Sequence, residues 1–255
     1  KTILTGDMLI GNKFIYGMRT PVWIGLPYSR IGFDIPWFRL PAFKEVEVGD
    51  VTIFEFPRDP FQKYVKRCIG IAGDSIYIDL GKIYINNKEY ALPVNGQFTK
   101  GIIGPNQIEK IYSSLKGNKD NISEFVVPYP NMKINVDNIS DWQSFVTLLV
   151  QDGNKVKFNN RVFTMIDPQE VARTHGFLKY KFLRMINNDD RKSAFYEREA
   201  KEKFLYNLYK EYSNKGFINP WNINYAGYEN DYLLSNITVN GTPLKEIAEY
   251  SVKLK

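Results

Sequence analysis

The residue types able to do chemistry concentrate in one stretch, Tyr64-Val65-Lys66-Arg67-Cys68-Ile69-Gly70-Ile71-Ala72-Gly73-Asp74. Lys66 lies there in a run that is otherwise largely apolar. On a strand it shares one face with Tyr64 and Cys68, whereas Arg67 shares the other with Val65. Apolar surroundings strip water from an ammonium, disfavour its charged form and lower its pKa. A neutral amine can take the proton of a serine hydroxyl, which is the chemistry of a Ser-Lys dyad. The alternative for such a lysine is a stem packed on the sheet with its ammonium in water. Other reactive types are sparse. The single cysteine, Cys68, cannot form an internal disulfide, and no zinc site can rest on cysteines. The single histidine, His175, excludes a His-rich metal centre and any Ser-His-Asp triad that does not use it. Beside Gly176 it reads as surface or core packing. Asp189-Asp190 reads as a helix N-cap rather than a metal site.

Elements must hold Lys66 in place. Val51-Thr52-Ile53-Phe54-Glu55-Phe56 follows Gly49-Asp50 and stops at Pro57, a strand bounded by breakers. The Lys66 stretch then reads as strand and tight turn, with Gly70 and Gly73 supplying positive φ. Ser75-Ile76-Tyr77-Ile78-Asp79 and Lys82-Ile83-Tyr84-Ile85-Asn86 alternate with period two around Leu80-Gly81, a hairpin, and Asn86-Asn87 starts the next turn. Residues 20–43 hold four prolines among Trp23, Phe33, Trp37, Phe38 and Phe43, an aromatic loop that is neither helix nor regular sheet. It either covers a core or lies on a membrane surface.

Further on, residues 141–150 predict a helix capped by Ser140 or Asp141, with Gly153 past its end. Val156-Lys157-Phe158 and Val162-Phe163-Thr164-Met165 predict a hairpin around Asn159-Asn160. Phe204, Leu205, Leu208, Tyr209 and Tyr212 recur at helical spacing before Gly216, and a second helix is expected over 168–185. The aromatic and basic helix over 195–212 reads as packing on the β domain, with lipid headgroups or a partner protein as its alternative. Ile237-Thr238-Val239 leads into the turn Asn240-Gly241, and residues 250–255 alternate as a strand.

Three ordered motifs resemble type I signal peptidases, the membrane-bound Ser-Lys serine proteases of family S26 that remove signal peptides from exported proteins. The family's "GD-x-hydrophobic-x-F-x-x-P" is similar to Gly49-Asp50 through Pro57. Its base-bearing "Y-hydrophobic-K-R-hydrophobic-hydrophobic-G-x-x-G-D" runs from Tyr64 to Asp74. The stretch that follows the family's nucleophile resembles Thr2-Ile3-Leu4-Thr5-Gly6-Asp7 and Asn12-Lys13-Phe14-Ile15-Tyr16-Gly17. The resemblance covers roughly residues 1–95, the centre matches loosely, and 167–235 looks like an insertion.

The resemblance implies a serine endopeptidase acting through an acyl-enzyme. Lys66 would be the general base, Tyr64 and Val65 would line the substrate cleft, and Ile3 would help form the pocket for a small side chain. Arg67 and Asp74 would be structural. Small residues such as Ala before the cut need shallow apolar pockets that exclude larger ones. A peptide extended along a strand edge presents alternate side chains to them. No metal or cofactor is implied. The expected fold is mainly β, coiled antiparallel sheets with an α-helical insertion. It divides into part of a catalytic β core (1–100), a second β region (101–166), the insertion (167–235) and a return strand (236–255). The partners would be signal peptides of exported preproteins and a lipid surface, with no nucleic acid. The place would be the bacterial cytoplasmic membrane, with the catalytic domain on its periplasmic side.

The chain departs from the pattern twice. By motif spacing the nucleophilic serine would stand a few residues before Lys1, outside this chain, and the late "G-D-N-R" motif with its supporting Ser is absent. The fragment by itself is therefore expected to be inactive. Two alternatives stand beside this reading. One is a non-catalytic relative that binds peptides or joins an export complex. The other is a self-cleaving repressor-type Ser-Lys peptidase with a DNA-binding region upstream, against which the aromatic loop and Asn12-Lys13-Phe14 argue.

Composition is compatible with all of this. The 255 residues are 44% apolar and 24% charged, close to an average globular protein, which excludes a disordered tail, a fibre or a disulfide-stapled mini-protein. The 34 basic against 28 acidic residues give +6, scattered along the chain. That balance reads as ordinary surface charge, and otherwise favours an anionic partner. Aromatics at 15% suit strands and extended binding surfaces. No apolar run approaches the roughly 18–20 residues of a membrane span, and no signal peptide is visible.

Overall fold

Gly49-Asp50, Leu80-Gly81 and three Asn-containing pairs punctuate the chain, and short antiparallel strands form between them. The computed structural model describes residues 11–12, 14–18, 20–21, 23–26, 31–36, 38–91, 101–107, 117–186 and 189–253. Its first element is a small hairpin, β1 (Trp23–Gly25) with β2 (Gly32–Asp34). The expectation of no regular sheet in 20–43 is thus corrected, because alternating backbone bonds need only three residues on each side. The loop's apolar side chains point outward: Phe33, Phe38 and Phe43 are all exposed.

β3 (Val51–Phe56) and β4 (Asp59–Arg67) form an antiparallel ribbon with a register shift at Glu55/Phe56. β5 (Ser75–Asp79), β6 (Lys82–Ile85), β7 (Lys88–Tyr90) and β8 (Ile122–Val126) make a sheet in the order β7-β6-β5-β8. Its turns are as predicted. Leu80 and Gly81 have φ of 44° and 78°, Asn86 and Asn87 of 50° and 64°. Positive φ at both central residues matches the strands' right-handed twist. Tyr77 and Tyr84, paired across β5 and β6, stack with centroids 4.6 Å apart.

β9 (Lys133–Asn135) is followed by α1 (Trp142–Gln151), whose cap Asp141 accepts from the Ser144 N–H at 3.0 Å. β10 (Val156–Phe158) and β11 (Arg161–Phe163) pair around Asn159-Asn160, and the second strand ends two residues earlier than expected. α2 (Pro168–Thr174), α3 (Leu178–Ile186) and α4 (Asp190–Asn214) follow. The single helix expected over 168–185 is therefore two. The break falls at His175, which leaves helical φ/ψ and stacks on Phe204 with centroids 4.0 Å apart, and at Gly176, a poor helix former. Asp189 caps α4 as predicted.

β12 (Phe217–Ile218), α5 (Asn230–Asn236), β13 (Ile237–Val239), β14 (Thr242–Pro243) and β15 (Glu249–Ser251) complete the chain. β15 pairs with β9, and a five-stranded sheet runs β12-β11-β10-β13-β14, with β11 and β12 parallel. Val146 and Leu149 of α1 pack with Val156, Leu233, Ile237 and Val252 in the hydrophobic core. α5 crosses residue 235, and α2–α4 contribute no side chain to that core. The fold is β-rich, several antiparallel sheets with a few helices. Among the described residues no helix is long and apolar enough to cross a membrane.

Candidate active site

Alternation along β4 puts Gln62, Tyr64 and Lys66 on one face and Val65 and Arg67 on the other. Cross-strand register sets Thr52 opposite Lys66, Phe54 opposite Tyr64 and Ile53 opposite Val65. The Lys66 face is thus aromatic: the half-buried Tyr64 ring stacks on Phe56 at 4.7 Å and meets the edge of Phe54 at 6.2 Å. The structure brings Tyr64 and Lys66 together and places Val65 behind them. Ile3, with the rest of Thr2 to Asp7, lies outside the described residues.

Lys66 itself is exposed. The apolar run predicts a desolvated amine, but a ribbon of two strands is one layer thick and cannot bury a side chain on its own. Among the described residues no strand pairs with the other edge of β4. A cleft of about 330 Å³ opens on the turns around 157–160 and 235–238, and none of its lining residues belongs to β4.

The ends of the ribbon are tightly tied. Gly49 N–H donates to Cys68 O and Cys68 N–H to Asp50 O, both at 2.7 Å, while the Arg67 guanidinium reaches Gly49 O. Asp50 gathers the Glu47 N–H at 3.0 Å, the Tyr16 hydroxyl at 2.8 Å and the Lys44 ammonium at 3.3 Å. The Glu47 N–H and then the Tyr16 hydroxyl hold its carboxyl below the usual carboxylate range. The same bond pushes the Tyr16 hydroxyl up. Gly17, at φ 81°, carries the chain past Leu40, whose carbonyl oxygen would stand 2.5 Å from any Cβ there. Asp50 thereby binds the Asn12-to-Gly17 motif to the strand pair that holds Lys66. Sequence reading noted both motifs but not this joint.

Past β4, Asp74 accepts from Ile71 N–H at 2.9 Å and from the Asn86 amide at 2.8 Å, so it does hold the turn. Gly73 has φ 92°, as expected. Gly70 does not need positive φ; a Cβ there would lie 2.1 Å from Ile76 Cδ1. It is a glycine for close approach, a correction to the expected role. Sequence reading also missed α2 as a neighbour of the site. Gln62 donates to Glu170 at 3.2 Å and accepts from Arg173 at 3.0 Å, and the Thr174 hydroxyl donates to the buried Asp59 carboxylate. Helix α2 therefore docks at the start of the face that carries Lys66.

The ribbon thus joins Gly49 to Pro57 and Tyr64 to Asp74, and Asp50 ties it to Tyr16 of the Asn12-to-Gly17 stretch. The family model described as "Signal peptidase, peptidase S26" matches residues 1–168. This chain belongs to that family. Among curated proteins it is similar to Signal peptidase I of Rickettsia akari (strain Hartford), 37% identical over 100 residues, 38% of this chain and 35% of that protein. Signal peptidase I of Rickettsia typhi (strain ATCC VR-144 / Wilmington) is 39% identical over 90 residues, 34% and 31% of the two chains. That of Pseudomonas fluorescens is 33% identical over 91 residues, 35% and 28%. The match thus spans about a third of these relatives' length. No solved structure matches. In the signal peptidase family frame α2 ends, and α3 and α4 lie wholly, beyond the matched residues.

Proposed function

We propose that this chain carries the general-base half of a type I signal peptidase that cleaves signal peptides from exported preproteins at the bacterial cytoplasmic membrane. The observation that carries the reading is that Lys66 stands beside Tyr64 on one face of β4, in a ribbon that Asp50 ties to the motif of Tyr16. Family membership supports it. Among the described residues no strand pairs with the outer edge of β4, and along it an extended peptide would pair its backbone with the strand and present alternate side chains to the cleft assigned to Tyr64 and Val65 and to the pocket assigned to Ile3.

By the family's motif spacing, a serine a few residues before Lys1 would supply the nucleophile. Lys66 Nζ, neutral at that moment, takes the hydroxyl proton as Oγ bonds the scissile carbonyl carbon. The tetrahedral oxyanion collapses, the C–N bond breaks, and the departing amine takes the proton back from Lys66. Water then attacks the ester, giving its proton to Lys66, and the serine leaves with that proton. Because Lys66 is exposed here, its desolvation has to come with the peptide and the segment that bears the serine. Residues 1–100 and 101–166 form the peptidase β core of this reading, in coiled antiparallel sheets, with 236–255 returning to it after the helical block 167–235. The reading uses no metal or cofactor and no nucleic acid.

The test is Lys66→Ala in the complete gene product, assayed on a preprotein with Ala at the first and third positions before the cut. Cleavage should fall by about 10³-fold or more, while the melting temperature stays put because the side chain is exposed. Retained activity would sink the proposal.

A further inference from the structure

α3 is the element whose side chains the fold leaves unused. None of its nine residues is buried. Tyr180 and Leu183 are half-buried, and the Tyr180 carbonyl accepts from the Ser193 hydroxyl of α4 at 3.0 Å, so this is the side that packs. Advancing 100° per residue puts Leu178, Phe182, Met185 and Ile186 together on the opposite side. All four are exposed, Met185 at 84% and Phe182 at 60%. The same geometry sets Lys179 on one margin of the apolar stripe and Lys181 on the other, with Arg184 further round. The helix holds no acidic residue.

We infer that α3 is an interfacial helix that lies on an anionic lipid surface, with Leu178, Phe182, Met185 and Ile186 sunk among the acyl chains. The charge pattern selects this occupant. An apolar stripe with cations on both margins lets the lysine stems lie along the apolar layer while the ammoniums reach phosphate groups. Only residues 175–177 separate α3 from α2, which docks on β4, so the contact would tether the Lys66 strand to the surface through one helix. The inference concerns binding alone and stands or falls apart from peptidase activity. It also adds a contact beyond the residues that the signal peptidase family match covers.

Flotation of the 255-residue chain tests it, using vesicles of mixed phosphatidylcholine and phosphatidylglycerol against vesicles of phosphatidylcholine alone. The chain should float with the anionic vesicles. Phe182→Asp with Met185→Asp should weaken that partition by about tenfold or more, with an unchanged melt because both side chains are exposed. Lys179→Glu with Lys181→Glu should weaken it by about tenfold on anionic vesicles and leave the phosphatidylcholine result unchanged. Undiminished flotation of both paired variants would overturn the inference. So would sedimentation velocity showing a dimer that the Asp pair dissolves, since a second copy would then be the occupant.

Discussion

Asp50 collects a backbone N–H, a phenol and an ammonium on one carboxylate, and each arrives from a different point of the chain. These donors favour the ionised form, so the carboxyl lies below its ordinary 3.8. A depressed carboxylate contributes stability above the unfolded value and loses it as pH falls through the folded one. Asp50→Asn should therefore lower the melting temperature at neutral pH. The gap to the parent should narrow in acid, as the pH falls through the lowered value of the folded Asp50 carboxyl. Thermal melts at neutral and acid pH decide this; a gap that persists in acid would mean that shape, not charge, is what Asp50 supplies. The family motif around Lys66 was legible from its neighbours Tyr64, Arg67, Gly70 and Asp74. The exposure of Lys66 was not, because burial depends on what lies over the ribbon.

At the scale of elements, the β5 sheet and the Lys66 ribbon meet at Gly70. Ile76 is buried, and its Cδ1 occupies the place of a Gly70 side chain. Gly70→Ala should cost about 1–3 kcal/mol through overpacking, measured by urea unfolding. Ile76→Val, which removes that Cδ1, should restore part of the loss when the two are combined; equal or greater loss in the pair would show that the backbone resists instead. Hairpins were the most legible elements. Asn-Asn, Leu-Gly and Asn-Gly pairs between alternating runs dictate the turn locally, and all four appear where expected. The break between α2 and α3 was harder to see, because the apolar spacing runs on through His175. It is decided by Thr174 reaching Asp59 and by His175 stacking on Phe204, partners more than 25 residues away in the chain.

Across the whole molecule, two buried tyrosines hold the later half of the chain together in opposite ways. Tyr250 on β15 donates to Asp152 and accepts from Asn154, both at 2.7 Å, and so locks the return strand to the end of α1. Tyr225 is buried, and among the described residues its hydroxyl has no hydrogen-bond partner. Tyr250→Phe should cost about 1–2 kcal/mol, whereas Tyr225→Phe should be neutral or stabilise by up to about 1 kcal/mol. Chemical denaturation of the two variants separates these signs. Burial, and then Asp152, pushes the Tyr250 hydroxyl up to about 12, and burial pushes Tyr225 up as well. For a raised pKa the stabilisation is complete below the unfolded value of 10 and is lost as pH rises through the folded one. The parent should lose stability between pH 10 and about 12, and a Tyr225→Phe, Tyr250→Phe chain should lose less over that window.

The amino-acid sequence by itself determined the local structure and the chemistry on offer. Period-two alternation, paired turn residues and capping aspartates act within a few residues, and the motifs of Gly49 to Asp74 mark the signal peptidase family without reference to the rest of the fold. Tertiary structure alone decided three things. It gathered the core from α1, β10, α5 and β13, with the helices α2–α4 set aside from it. It brought Tyr16 to Asp50 and Arg173 to Gln62, across 34 and 111 residues. It left Lys66 and the apolar stripe of α3 facing outward. The physical reason is common to all three: turns and caps are settled by neighbours in the chain, whereas burial is settled by whatever distant segment fills the space above a side chain.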